Sequence, residues 1–426
     1  MILKFEFENF SSYRDPQSIS WVASSLKHPN RTTIAHPGVD HGVLPCCAIY
    51  GANASGKSNA LAAFRFFCLA VLNSFRDWPR EDFIGRNAFR NSASGSDLES
   101  RFQLDFSIDG TRYQYGFAIN DVEVVSEWLN AYPSHRKQIW FQREKGKPSK
   151  FGDSLKGNNR TIEELTKQNV LFLTLAAMHG HERLEPIYSW FRKSIVHESE
   201  VRFPGLDGLA RHYNGSNASG ILAVLKAADL GIVGADLQLE DVQDPPRRIQ
   251  RDNPENAEAE PRAIRRVPKL KLLHEIEGQE IAFPARLESE GTRILGNHLP
   301  YILRALRNGG LYVVDEIDRS LHPSLCLQIM NLFLSPKVNS KGAQLLFTTH
   351  DPTLLSSGDL RRDEVWFAEK KPDGASILYP LSDFSPRKNE NLERGYLQGR
   401  YGAVPLLNPA AFWSAFEEGD QDGEAL

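Results

Sequence analysis

Gly51-Ala52-Asn53-Ala54-Ser55-Gly56-Lys57-Ser58 stands between two patterns of different period. Before it, Cys46-Cys47-Ala48-Ile49-Tyr50 is a short apolar run, as expected of a strand buried on both faces. After it, Leu61, Phe64, Cys68, Val71 and Leu72 recur at three-to-four spacing, the period of a helix. The octet fits G-x-x-x-x-G-K-[ST], and strand–loop–helix is the setting that gives this pattern a mechanism. Its glycines let successive N–H groups turn inward towards phosphate oxygens, and the following helix presents the positive end of its dipole to the same anion. Lys57 brings a point charge to the β- and γ-phosphates, and the Ser58 hydroxyl offers a ligand to Mg2+. Gly51, Asn53, Ala54, Ser55, Gly56, Lys57, Ser58 and Asn59 are therefore the candidate ATP-binding residues.

Further along, Leu311-Tyr312-Val313-Val314 is another buried-strand run, and it ends in Asp315-Glu316. In a parallel sheet the carboxyl ends of the strands converge on the ligand. Asp315 is then placed to hold Mg2+ opposite Ser58, and Glu316 to act as general base on the attacking water. The run Leu345-Leu346-Phe347-Thr348-Thr349 delivers His350 to the same end, within reach of a γ-phosphate. Upstream, Ser289-Glu290-Gly291-Thr292 precedes a helical pattern of Ile294, Leu295, Leu299, Ile302 and Leu303. Ser289 can cap that helix, Gly291 permits close backbone approach, and a capped N-terminus is a second anion site that need not serve its own chain.

The remaining segments give the outline of the molecule. Leu3, Phe5 and Phe7 alternate with Lys4, Glu6 and Glu8, a half-buried strand. Phe102–Ile108 and Tyr113–Ile119 alternate around Asp109-Gly110, and Val122, Val124 and Trp128 follow, which predicts an antiparallel meander. From Thr161 to Leu230 the pattern is mixed helical, with Leu171, Leu175 and Met178 on one face. From Asp241 to Pro268, five prolines among many charges predict a solvated loop. Its Arg247, Arg248, Arg251, Arg262, Arg265 and Arg266 could touch a nucleic-acid backbone, although Glu255, Glu258 and Glu260 offset them and a solvated surface is the plainer reading. The expected organisation is residues 1–150 and 271–410 as two halves of one head, 151–270 as an insertion, and 411–426 as an acidic tail.

Taken in this order, the elements resemble ABC-type ATPases of the SMC, RecF and OLD class. Gly51–Ser58 looks like their Walker A, Ser289-Glu290-Gly291-Thr292 like the signature, and Asp315-Glu316 like Walker B with its catalytic Glu. Asp318-Arg319-Ser320-Leu321-His322-Pro323 looks like the D-loop region, and His350 like the switch histidine. The resemblance implies an α/β fold: a P-loop ATPase head with a mixed sheet, an antiparallel β subdomain and a helical insertion between Walker A and signature. It also implies Mg·ATP hydrolysis, with Glu316 and His350 catalytic, and Ser289, Gly291 and Thr292 acting in trans in a homodimer or larger homo-oligomer. Glu290 departs from the Gly that many transporters carry, and Gln103 and Gln114, which fall in the meander, are poor candidates for the Q-loop.

Phe7-Glu8-Asn9-Phe10-Ser11-Ser12-Tyr13, Tyr113-Gln114-Tyr115-Gly116-Phe117 and Tyr396-Leu397-Gln398-Gly399-Arg400-Tyr401-Gly402-Ala403-Val404-Pro405 are similar to a narrower bacterial group, the RloA and AbiL-like proteins and, more distantly, the PARIS ATPase. That similarity implies a sensor or switch subunit in anti-phage defence with a separately encoded effector, a nuclease or a toxin. A RecF-like clamp that binds DNA itself is the alternative. The Toprim nuclease of OLD proteins has no acidic counterpart in the short stretch after His350.

Bulk composition is compatible with this reading. Fifty basic and 54 acidic residues leave a net charge of −4, which gives no overall attraction to nucleic acid. The four cysteines, Cys46, Cys47, Cys68 and Cys326, form no C-x-x-C pair and suit a reducing compartment. No unbroken apolar run of membrane-spanning length is visible and charge begins at Lys4, so a cytoplasmic protein without membrane contact is expected.

Overall fold

The computed structural model describes residues 1–26, 28, 33–81, 83–90, 98–197, 210, 218–228, 230–243, 264–384, 390–405, 408, 410, 413 and 414. The alternation at the N-terminus forms strand β1 (Ile2–Glu8), whose Phe5 and Phe7 are buried while Lys4 and Glu6 pair at 2.7 Å on the other face. β1 joins β2 (Gln17–Ser20), β4 (Ser100–Ile108), β5 (Thr111–Ile119), β6 (Val124–Tyr132), β7 (Gln138–Glu144) and β8 (Lys147–Phe151). Together they make an antiparallel sheet in the order β2-β1-β4-β5-β6-β7-β8. Asp109 and Gly110, both at positive φ, make the β4–β5 turn as the sequence predicts.

The second sheet is built from β3 (Cys46–Tyr50), β9 (Ile195–His197), β13 (Leu311–Val314), β14 (Gln344–Thr348), β15 (Val365–Lys370) and β16 (Ser376–Pro380). Its order is β16-β15-β3-β14-β13-β9, parallel throughout except for the edge pair β15–β16. The unbroken apolar runs have their cause here, because successive residues of one strand serve two cores. Cys47, Ile49, Leu311, Val313 and Leu346 belong to one hydrophobic cluster, and Cys46, Ala48, Tyr50, Tyr312, Val314, Leu345 and Phe347 to another. All four cysteines are buried, and none of them is in a disulfide.

Helix α1 (Lys57–Glu81) fills the first core between the two sheets. Phe64 meets Phe5 edge-on at 5.0 Å, and Phe67 stacks on Phe117 at 5.4 Å. Lys57–Trp78 has the length and apolarity of a membrane span, but it carries the core contacts just named and half of it is buried inside the protein. The helices α2 (Asn159–Leu165), α3 (Phe172–Met178) and α4 (Glu185–Ser194) border the same core. Leu171 and Leu175 lie inside it, whereas Met178, expected on their face, is exposed at the end of α3. On the other side, α5 (Ala218–Ala227), α6 (Glu290–Asn308), α7 (Pro323–Leu334), α8 (Thr353–Ser356) and α9 (Leu392–Leu397) contribute to the second core.

A third, three-stranded antiparallel sheet, β10 (Ile232–Gln243), β11 (Ile264–Ile276) and β12 (Gln279–Pro284), corrects part of the sequence reading. The sequence reads as a solvated loop at Asp241 and Arg266, yet the two face each other across the β10–β11 pair. Pro268 misleads as a loop signal. It sits in β11 opposite Leu239 at a level that β12, paired only with Lys271–Ile276, does not reach, so its missing N–H leaves no second neighbour unpaired. Between β8 and α6 the described residues therefore form helices and a β-sheet, not helices alone. Arg247, Arg248, Arg251 and Arg262, the three acids Glu255, Glu258 and Glu260, and the acidic end of the chain lie outside the described residues.

Candidate nucleotide site

The loop after β3 is a preformed cradle. Gly51 has φ 156°, and a Cβ there would collide with the backbone carbonyl of Ala368 on β15. Its N–H donates to the Tyr396 hydroxyl. At the other end of the loop the Tyr13 hydroxyl donates to the Gly56 carbonyl at 3.1 Å, and Asn59 Nδ2 donates to Ser12 Oγ at 2.9 Å. Ser376 of β16 holds Ser12 by a side-chain bond of 2.8 Å and a backbone bond of 2.7 Å. Segments from the N-terminus and from Tyr396 thus brace the loop from behind. Asn53, Ala54 and Ser58 stay exposed on the open side at the N-terminus of α1.

Lys57 bends back over this cradle, its Nζ donating to Gly51 O at 2.9 Å and Ala52 O at 3.1 Å. Burial lowers its pKa from the ordinary lysine value, and Asp315, Glu316 and Asp318 oppose that shift. The loop and the acidic end of β13 therefore share one electrostatic neighbourhood. Ser55 Oγ is buried in the loop without a partner. Tyr50 OH, Asp318 Oδ1 and Asp351 Oδ2 are also buried and unpartnered around the strand ends, so the site holds more polar capacity than the chain itself uses.

Asp315 and Glu316 leave β13 beside the end of β14. Thr348 Oγ1 donates to Asp315 Oδ1 at 2.5 Å and accepts from the Glu316 N–H at 2.7 Å. Glu316 has φ 51°, the left-handed region that non-glycine residues seldom enter. Its carboxylate reaches out to His350, Oε1 to Nε2 at 3.8 Å, with both side chains partly open to solvent. The His350 N–H donates to Asp318 Oδ2 at 3.2 Å. Sequence reasoning named the neighbours of Thr348 and Tyr396 without assigning either a role; a hydroxyl at the end of a buried strand was the one available signal for Thr348.

Ser289 caps α6 as expected, accepting from the Thr292 N–H at 3.1 Å, and its Oγ lies 2.8 Å from Thr292 Oγ1. Gly291 packs so tightly on the loop after β13 that a Cβ would stand 2.9 Å from the Ser320 carbonyl. No hydrogen bond or ion pair among the described residues joins Ser289–Thr292 to Gly51–Asn59. The structure brings Gly51–Asn59, Asp315, Glu316 and His350 to one end of the parallel sheet, whereas Ser289 and Thr292 bond to each other at the cap of α6 and Gly291 packs on Ser320. Gln103 and Gln114 bond to Glu6, Trp128, Asp105 and Asn130 within the antiparallel sheet, away from the cradle.

Among the described residues no three His, Cys, Asp or Glu side chains cluster as a metal cage. The donor set still fits Mg2+, which binds through few protein oxygens and completes its shell with phosphate oxygens and water. Ser58 and Asp315 are residues of the right type for it.

A family model described as an AAA domain, putative AbiEii toxin, type IV TA system, matches residues 46–356, from β3 to α8. The chain belongs to this family. No curated protein matches it. Among solved structures the chain is similar to the SMC head bound to the C-winged helix domain of ScpA, with 17% identity, 89% of this chain and 97% of that one covered, and a TM-score of 0.39. The family match runs from the strand before the phosphate loop past His350, so this AAA domain contains the cradle, the acidic strand end and the histidine in one unit.

Proposed function

We propose that the chain hydrolyses Mg·ATP at Gly51–Asn59, Asp315, Glu316 and His350, in a site completed by the Ser289–Thr292 segment of a second copy. The observation that supports this most directly is the position of Lys57, in the field of Asp315, Glu316 and Asp318, with the Glu316 carboxylate 3.8 Å from His350. Carboxylates beside a triphosphate are repelled unless cations stand between them. Lys57 supplies one charge when it turns from Gly51 O and Ala52 O to the phosphates. Mg2+ held by Ser58 and Asp315 would supply further charge neutralisation on the phosphate oxygens.

In the hydrolytic step Glu316 orients a water and takes its proton on a carboxylate oxygen. The water oxygen bonds to the γ-phosphorus as the bond to the β–γ bridging oxygen breaks, leaving ADP and phosphate. His350 stands where it can hold the γ-phosphate oxygens, and the capped N-terminus of α6 from the second copy closes over the same group. Nucleotide thereby joins two copies, and hydrolysis releases them.

The family's description and the resemblance to RloA and AbiL-like proteins support a role in bacterial defence. There the ATP state is a cytoplasmic switch that holds or frees a separately encoded effector, a nuclease or toxin. The test is the solution mass of Glu316→Gln by light scattering, with and without Mg·ATP, beside its phosphate release. Loss of turnover with a nucleotide-dependent rise to a dimer or larger is expected. Unchanged turnover, together with a mass indifferent to ATP, overturns the reading.

A further inference from the structure

His274 lies near the end of β11, opposite Ile232 of β10 on one side and Ile281 of β12 on the other. The Phe283 ring meets it edge-on at 5.3 Å, and a Cβ on Gly231 would stand 3.5 Å from its Nδ1. Its Nε2 is 2.9 Å from Glu288 Oε1. Glu288 immediately precedes the Ser289 cap of α6, and its side chain is only 6% exposed. A carboxylate at that place is drawn to the unpaired N–H groups of the first helical turn and competes with any phosphate for them. The bond to His274 commits the carboxylate to the ribbon.

We propose that His274 is a positioning residue for nucleotide-driven pairing: it keeps the Glu288 carboxylate from the N-terminus of α6, and so makes the β10–β12 ribbon a lever on the Ser289–Thr292 segment. The proposal rests on the reading of that segment as a phosphate site for a second copy's ATP. The linkage is short, because β12 runs through a single turn at Ala285–Leu287 into Glu288 and the cap. A partner that moves the ribbon changes whether Glu288 competes with the incoming phosphate.

The experiment measures the Mg·ATP concentration for half-maximal dimer formation by light scattering, in a Glu316→Gln background. Binding of a fluorescent ATP analogue is measured at protein concentrations too low for dimers. His274→Leu is expected to raise the half-maximal ATP concentration about tenfold, a usual size for coupling between sites, without changing analogue binding. His274→Gln keeps an N–H donor and stays at the parent value. Adding Glu288→Gln to His274→Leu restores it, because the freed competitor is no longer an anion. No effect of His274→Leu, or a double variant as weak as the single one, overturns the proposal. Ser289→Arg separates the two failures. If it leaves dimer formation intact, the underlying reading falls and the proposal with it; if it abolishes dimers while His274→Leu does not weaken them, the proposal alone falls.

Discussion

Thr348 donates its hydroxyl to Asp315 Oδ1 at 2.5 Å across the β13–β14 pair, and the same oxygen accepts the Glu316 N–H at 2.7 Å. One buried side chain thus fixes both carboxylate-bearing residues at the strand end and holds Glu316 at its left-handed φ of 51°. Thr348→Val keeps the shape and removes both bonds. Turnover should fall about tenfold to a hundredfold, the range in which a misplaced general base is felt, with little change in the KM for ATP. Stability should fall by about 1 kcal/mol. Thr348→Ser should recover most of the turnover, an outcome that a merely space-filling role would not produce.

Gly51 offers a second test, at the ligand-binding step. Gly51→Ala must place a Cβ against the Ala368 carbonyl, which is backbone and cannot swing aside. The expected result is a loop displaced from Tyr396 and from Lys57, loss of ATP binding in a nucleotide titration, and about 1–3 kcal/mol lower stability in a denaturant melt. Ala54→Gly, at a neighbouring loop position where φ is already 60°, should keep nucleotide binding.

The contrast between the phosphate loop and the ribbon shows what the sequence could carry. Gly51–Ser58 is local: eight consecutive residues determine the backbone path, and the adjoining strand and helix declare themselves by period. That Asp315, Glu316 and His350 meet at one end of the sheet was legible because buried parallel strands read as apolar runs that deliver the residues after them to a shared edge. The braces on the loop were not legible in this way. Tyr13, Ser376 and Tyr396 meet it from distant parts of the chain, and no spacing encodes such a contact. The β10–β11 pair was hidden because its cross-strand partners, such as Asp241 and Arg266, read singly as solvated charge.

Lys57 makes a third prediction. Among the described residues its ammonium bonds to carbonyls of its own loop, so Lys57→Ala should leave the ligand-free protein close to parental stability. Stabilisation by ligand is another matter. Saturating Mg·ATP at about one hundred times its dissociation constant adds about 2.7 kcal/mol to a protein that binds it only when folded. That gain, read as a rise in melting temperature, should be present in the parent and absent in Lys57→Ala.

The last prediction concerns acid stability, and its sign follows from His197. This residue ends β9 near Phe64, with Nε2 buried and unpartnered, and burial reinforced by the Arg65 charge lowers its pKa from 6.5 to about 3. His298, buried against Tyr312, is lowered in the same sense to about 4. Below pH 6.5 the unfolded chain takes up protons on these rings and the folded chain does not. The unfolded state then binds more protons, so stability rises with pH across this window and is lost as pH falls from 6.5 towards 3. At pH 5 the loss from His197 is about 2 kcal/mol relative to neutral pH. His197→Phe removes the titrating group and keeps an aromatic ring against Phe64. Denaturant melts at pH 7.5 and pH 5 should therefore show a smaller acid loss in His197→Phe than in the parent, by roughly that amount. An equal loss in the two proteins would mean that His197 takes up its proton in the folded state, and that the end of β9 is open to water.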